Sequence, residues 1–160
     1  MRIKDKKGQM TEQYSGASQD EVTFLEMCKK TQYARFIERD SNIIKIEVEK
    51  QVEEYEILKV IEFDSDRKRM SVVVKSKADG KVLNFIKGAD LSIIPKLSAN
   101  SQVSAQADVT AMNDMASEGL RTLMFAVKEL DSNVNVKEVS DAELETDIEM
   151  LGVTGLQDLL

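Results

Sequence analysis

The chain has 160 residues, of which 22 are basic and 29 acidic, so its formal net charge is −7. It contains no histidine and one cysteine, Cys28, which excludes a histidine-dependent nucleophile, a classical zinc site and an internal disulfide. An acidic balance also argues against general nucleic-acid binding, because attraction to phosphates dominates that affinity.

The length and the 42% of hydrophobic residues are typical of one folded domain. No apolar run approaches the roughly 20 residues that a membrane-spanning helix needs. The first seven residues lack the apolar region of a secretory signal. These features predict a cytosolic location.

Residues 1–16 are polar and lack periodicity, so we expect a flexible segment there, followed by a single domain at 17–160. Ser18 and Glu21 form a capping-box pattern, and the apolar residues that follow recur at helical spacing. The pattern predicts a helix from 19 to about 32.

Further along the chain, alternating apolar and polar residues predict strands, and Asp79-Gly80 predicts a hairpin turn between two of them. Pro95 limits a short helix at 89–97, and Gly119 occupies the position expected just after a helix at 103–118. We therefore expect an α+β fold, a single twisted antiparallel sheet with helices packed on it. The predicted strands are 44–48, 55–63, 70–74, 82–87, 122–130 and an edge strand at 148–153.

Residues 63–72 form the first cluster that could carry chemistry. Phe63 ends a strand, a charged turn follows, and Met70 opens the next strand. Taken alone, the pattern also fits a core phenylalanine and a core methionine on either side of a solvated basic turn. The basic triplet at 67–69 equally fits a nuclear-import patch.

Two further clusters follow. Lys87 precedes Gly88, where a backbone without a side chain could approach a ligand closely. Arg121 opens a strand after a helix-ending glycine, a position suited to binding an anion. The carboxylates are scattered, so spacing identifies no catalytic pair.

In chain order, these segments resemble the nucleotide-binding domain of P-type ATPases over residues 14–160. Two motifs, Arg-Lys-Arg-Met-Ser-Val and Lys-Gly-Ala-Asp, resemble those of the phospholipid-flippase subfamily (type IV). Ion pumps tend to have Lys-Gly-Ala-Pro-Glu in place of the second motif. The matching segments are Tyr14-(x3)-Ser18-Gln19-Asp20-Glu21, the run 63–72, Lys87-Gly88-Ala89-Asp90, Glu118-Gly119-Leu120-Arg121-Thr122-Leu123 and the tail 151–158.

The resemblance implies a site for ATP. Adenine would stack on Phe63 beside Lys87, Glu21 would accept a hydrogen bond from the adenine amino group, and Arg121 would reach the phosphates. Ser65 and Met70 would line the slot that holds the adenine. The implied ATP-binding residues are Glu21, Phe63, Ser65, Met70, Lys87 and Arg121.

The resemblance also implies what lies outside the chain. The phosphorylated aspartate loop, the magnesium site and the membrane helices of the family are missing, so we expect no catalytic residue and no metal ligand here. The chain should be a cytosolic piece of a multi-pass membrane ATPase that binds ATP without hydrolysing it, with Mg²⁺ bound mainly elsewhere. Expected partners are the phosphorylation and actuator domains of the same polypeptide and an accessory subunit, with no nucleic acid and no direct membrane contact.

The chain departs from the family pattern at two places, and two other functions fit its sequence. Gln19 replaces the usual proline, and the stretch between Leu130 and Asp147 is shorter than flippases usually have. The alternatives are the corresponding domain of a cation-transporting P-type ATPase, and a non-catalytic interaction domain with the same fold.

Overall fold

A computed structural model describes residues 2–4, 10–12, 14, 16 and 18–157. The helices in these residues are α1 Gln19–Lys30, α2 Asp90–Ile93, α3 Ala99–Ser104, α4 Gln106–Ser117 and α5 Asp141–Leu144, with a 3-10 turn at Ile94–Lys96. The strands are β1 Arg2–Lys4, β2 Met10–Glu12, β3 Ala34–Asp40, β4 Ile43–Val48, β5 Gln51–Asp64, β6 Arg69–Ser76, β7 Val82–Gly88, β8 Arg121–Leu130 and β9 Glu149–Leu156.

Strands β5 to β9 form a sheet in their chain order, and each neighbouring pair in it is antiparallel. This arrangement confirms the predicted α+β class. Contacts within the chain group it into two compact units, one at 1–40 and 44–53 and the other at 41–43 and 54–160. The expectation of flexibility at 1–16 falls partly outside the described residues. Within that range, β1 and β2 pair antiparallel, and the proposed domain boundary at residue 17 stays a prediction.

In the first unit, α1 begins as the capping box predicts. The Ser18 Oγ accepts a hydrogen bond from the Glu21 N–H at 3.3 Å, and the helix ends at Lys30. Strand β3 was not predicted, because most of its side chains are exposed and its sequence is largely charged. The Arg35 guanidinium on β3 donates two hydrogen bonds of 3.0 Å to the Glu47 carboxylate on β4.

In the second unit, the predicted hairpin is confirmed. Gly80 adopts a φ of +73° in the turn between β6 and β7, a conformation that glycine takes at little cost. The helix predicted at 103–118 is instead two helices, α3 and α4, which meet at the buried Ala105. The earlier start comes from Ser98, whose Oγ accepts from the Ser101 N–H at 3.1 Å.

The C-terminal region confirms the predicted edge strand, which runs as β9 at the end of the sheet. The acidic stretch before it contains α5, whose first turn is capped by Ser140. Leu144 at the end of α5 is fully buried in the core. Among the described residues, no helix has the length and hydrophobicity that crossing a bilayer requires.

The strands of the second unit have two different faces, since residues directly opposite each other in a ladder share a face. We call one the covered face: α2 to α5 pack on it, and it includes Ser71, Val73, Ile86, Met124 and Ala126, all buried. We call the other the open face: it includes Met70, Val72, Phe85, Lys87 and Phe125, all half-buried or exposed.

Candidate functional site

The strand register brings two of the predicted site residues together on the open face. Met70 on β6 lies directly opposite Lys87 on β7, and Lys87 lies directly opposite Phe125 on β8. Directly opposed residues have Cβ atoms about 5 Å apart. Phe125 was missed by the sequence analysis, because only the pairing of β7 with β8 shows that this aromatic is next to Lys87.

Phe63 extends this row onto β5. The register shifts between Ile61 and Asp64, so that Glu62 and Phe63 lie opposite the single residue Met70 as a β-bulge. The side chain of Phe63 is 64% exposed, which shows that the alternative of a core phenylalanine is wrong. We call Phe63, Met70, Lys87 and Phe125 the open-face row.

The turn after Phe63 is held by the carboxylate of Asp64. Its Oδ1 accepts hydrogen bonds from the backbone N–H groups of Arg67, at 3.1 Å, and Asp66, at 2.8 Å. These bonds stabilise the charged form and lower the pKa of Asp64 below its ordinary value of 3.8. Ser65, two residues after Phe63, is exposed in this turn, and its place in the nucleotide slot stays a prediction.

Gly88 lies where two strands approach each other closely. It is buried, and a Cβ added to it would lie 2.5 Å from the Cβ of Arg69 and 2.7 Å from the Lys68 carbonyl oxygen. Its lack of a side chain therefore allows the close approach of β7 to β6. The approach of a ligand to this backbone stays a prediction.

Arg121 lies on the same strand as Phe125 but four residues away, about 13 Å along β8. Its side chain is exposed, and it lies opposite Leu156 on β9. Gly119, with a φ of +83°, ends α4 just before it, as predicted. The structure thus places this guanidinium along β8, apart from the open-face row.

Glu21 belongs to the first compact unit, in the first turn of α1. It is half-buried, and a Cβ added to Gly16 would lie 3.3 Å from its Oε2. Its membership of the same slot as Phe63 and Lys87 stays a prediction.

Two of the three basic residues at 67–69 bind a buried carboxylate. Glu145 is 0% exposed, and its two oxygens accept hydrogen bonds from Arg67 Nη2 at 2.5 Å and Arg69 Nε at 2.7 Å. The Ser71 hydroxyl donates a third bond, at 2.8 Å. The alternative of a solvated basic turn is therefore wrong for both arginines. No local pattern indicates these contacts, because Glu145 lies more than 70 residues away in sequence.

Comparison with known proteins adds to this geometry. A family model described as "P-type ATPase, cytoplasmic domain N" matches residues 2–160. Phospholipid-transporting ATPase 2 of Arabidopsis thaliana is 37% identical over 92% of the chain and 15% of its own length. Phospholipid-transporting ATPase 11C of Mus musculus and phospholipid-transporting ATPase IH of Homo sapiens are each 32% identical, over 92% of the chain and 14% of their own length. The chain thus spans about one seventh of the length of these relatives.

Proposed function

The chain belongs to the P-type ATPase cytoplasmic domain N family, and from this premise we propose that it is the ATP-binding domain of a phospholipid-transporting ATPase. In the parent enzyme it presents the γ-phosphate of ATP to an aspartate of the phosphorylation domain. Catalysis by this chain is then a matter of positioning, because the group that accepts the phosphate lies outside it. The relatives' names favour lipid over cation transport.

The open-face row is the observation that carries this proposal. It joins an exposed aromatic ring, a half-buried methionine, a lysine and a second aromatic on four neighbouring strands. An aromatic surface with a cation beside it suits a purine base, through stacking and cation–π attraction.

The other predicted residues act around that base. Glu21 accepts from the exocyclic amino group, and Ser65 lines the slot next to Phe63. Arg121 donates charge-assisted hydrogen bonds to phosphate oxygens, and its distance from Lys87 along the sheet suits a group at the far end of the nucleotide.

We assign the remaining chemistry of the parent to residues elsewhere. Among the described residues, no group of three or more acidic or cysteine side chains is close enough to hold a metal ion. We propose that Mg²⁺ is held mainly outside this chain, where it neutralises phosphate charge. The proposed partners are the phosphorylation and actuator domains of the same polypeptide and an accessory subunit.

An NMR titration of the chain with ATP and with GTP tests this function. We expect saturable shifts at residues 63–70, 87 and 121, with a Kd on the order of 1 mM for ATP, or about −4 kcal/mol. GTP should bind more weakly, because guanine has an oxygen where Glu21 meets the adenine amino group.

Two variants sharpen the titration. Phe63→Ala should weaken ATP binding by roughly tenfold or more, since stacking and cation–π contacts each contribute about 1–2 kcal/mol. Val103→Ala is the control, because Val103 is 76% exposed on α3 and lies outside the proposed site. An absence of shifts at several millimolar ATP would instead favour the non-catalytic interaction domain.

A further inference from the structure

Glu145 is a buried acidic residue to which the proposed function gives no role. It follows α5 and sits on the covered face, behind the sheet from the open-face row. Burying a carboxylate is costly unless it is paired and hydrogen-bonded, and all three of its partners come from the short stretch 67–71. A fully buried carboxylate that binds one turn and the start of the next strand calls for an explanation.

The contacts of Arg67 lead from Glu145 to Phe63. Its Nη1 donates to the carbonyl oxygen of Glu62, the residue before Phe63, at 3.2 Å. Its backbone N–H donates to Asp64 Oδ1, on the residue after Phe63. Arg67, whose guanidinium is bound by Glu145, therefore contacts the backbone just before the exposed aromatic ring and the carboxylate just after it.

The contacts of Arg69 complete the arrangement. Its Nη1 donates to the Arg67 carbonyl oxygen at 3.0 Å, and its backbone is paired with Asp64 and Gly88. Its neighbour Met70 lies opposite Lys87. Glu145 thus reaches the turn and the start of β6 together.

Glu145 is itself held in place by its neighbours in the chain. Asn84 Nδ2 donates to the Leu144 carbonyl oxygen at 2.9 Å. Lys128 Nζ donates to the carbonyl oxygens of Glu143, at 2.9 Å, and Thr146, at 2.8 Å. The backbone on each side of Glu145 is anchored to the sheet, so its carboxylate is a stable support for the arginines.

We propose that Glu145 is a positioning residue for ATP, which holds Arg67 and Arg69 so that Phe63 and Met70 keep the geometry that binds the base. This inference rests on the proposed function. The inference adds to the proposed function a carboxylate that acts from the opposite face of the sheet without touching the nucleotide.

The test compares Glu145→Gln with Asp141→Asn in the whole chain, at a temperature where both are folded by circular dichroism. Asp141→Asn is matched, because it removes the 2.7 Å ion pair of α5 with Lys59 but leaves the arginines in place. We expect Glu145→Gln to weaken binding of ATP and of adenosine equally, by about fivefold, a typical coupling between contacting residues. Asp141→Asn should leave both affinities unchanged.

A second readout follows the turn without nucleotide. In Glu145→Gln, the amide signals of Asp66 and Arg67 should shift and exchange faster with solvent, whereas in Asp141→Asn they should not. If Glu145→Gln fails to fold, Ser71→Ala removes only the hydroxyl bond to Glu145. It should shift the same amides and weaken ATP binding by about twofold.

The outcomes separate the two proposals. If the unaltered chain binds ATP and Glu145→Gln binds it equally well, the positioning role is overturned while the proposed function stands. Equal weakening by both variants also overturns it, since any loosening of α5 would then suffice. If the unaltered chain does not bind ATP, the proposed function fails, and the positioning role fails with it.

Discussion

The covered and open faces of the sheet are built from the same strands, yet the side chains on the covered face are buried in the core and those on the open face are half-buried or exposed. On β7, Ile86 is 2% exposed and packs in the core, whereas its neighbour Phe85 is 37% exposed. The covered face takes large apolar groups out of water, the main favourable contribution to folding. The open face carries half-buried or exposed aromatic, methionine and lysine side chains, and it is the face where we propose that ATP binds. Stability and binding should therefore respond to different variants along one strand.

The largest expected effect tests the covered face. Ile86→Ala should destabilise the fold by about 2–5 kcal/mol, because it removes buried methyl and methylene groups and leaves a cavity. Phe85→Ala is the control on the adjacent residue and should cost less than about 2 kcal/mol. Urea unfolding followed by circular dichroism measures both, and a larger loss in Phe85→Ala would contradict the assignment of the faces.

The next effect concerns the contact between β6 and β7. Gly88→Ala should cost about 1–3 kcal/mol, since its Cβ would meet the Arg69 side chain and the Lys68 backbone. It should also disturb the opposition of Met70 and Lys87, and so weaken ATP binding. Gly80→Asn is the control: nothing lies within 4 Å of a Cβ there, and asparagine tolerates a positive φ. If both variants change ATP affinity equally, the close packing of β7 on β6 at Gly88 does not support the nucleotide site.

A third prediction divides the nucleotide between two parts of the site. Arg121→Ala should weaken ATP binding by roughly tenfold, the contribution of a charge-assisted hydrogen bond, and leave adenosine binding unchanged. Phe63→Ala should weaken both ligands alike. NMR titrations with ATP and adenosine measure the difference, and a loss of adenosine binding in Arg121→Ala would place that side chain at the base instead.

The smallest effect is the pH dependence of the turn at 64–68. Hydrogen bonds lower the pKa of Asp64, so its ionised form stabilises the folded state above the ordinary pKa of 3.8. That contribution is lost as the pH falls through the lower, folded-state pKa. Asp64→Asn should therefore make the Asp66 and Arg67 amide shifts insensitive to acid. Asp79→Asn, in the turn at the other end of β6, should leave those two amides titrating as before.

Much of the second unit could be predicted from local patterns. The patterns of apolar residues located β5 to β9, and Asp79-Gly80 and Gly119 marked a turn and a helix end through their backbone conformations. The capping box at Ser18 located the start of α1 in the first unit. Strand β3 was not predicted, because its largely exposed side chains lack the apolar alternation that is typical of a half-buried strand. The break between α3 and α4 at Ala105 was not predicted, because alanine fits the interior of a helix as well as its end.

The site was predicted less completely, for a physical reason. Residue type and order were enough to identify Phe63, Lys87 and Arg121 as candidates, because aromatic rings and cations have chemistry that does not depend on their neighbours. Which side chains lie beside them depends on strand register, and only the folded sheet places Phe125 opposite Lys87.

The sequence by itself determined the family resemblance, the strand pattern and the residue types available to hold a nucleotide, since these follow from local chemistry and spacing. Only the tertiary structure decided what Arg67 and Arg69 do. In sequence they are two charges in a polar turn, and in the fold they bind Glu145, 78 and 76 residues further along. A buried carboxylate needs partners, and which partners it finds depends on how distant segments pack together.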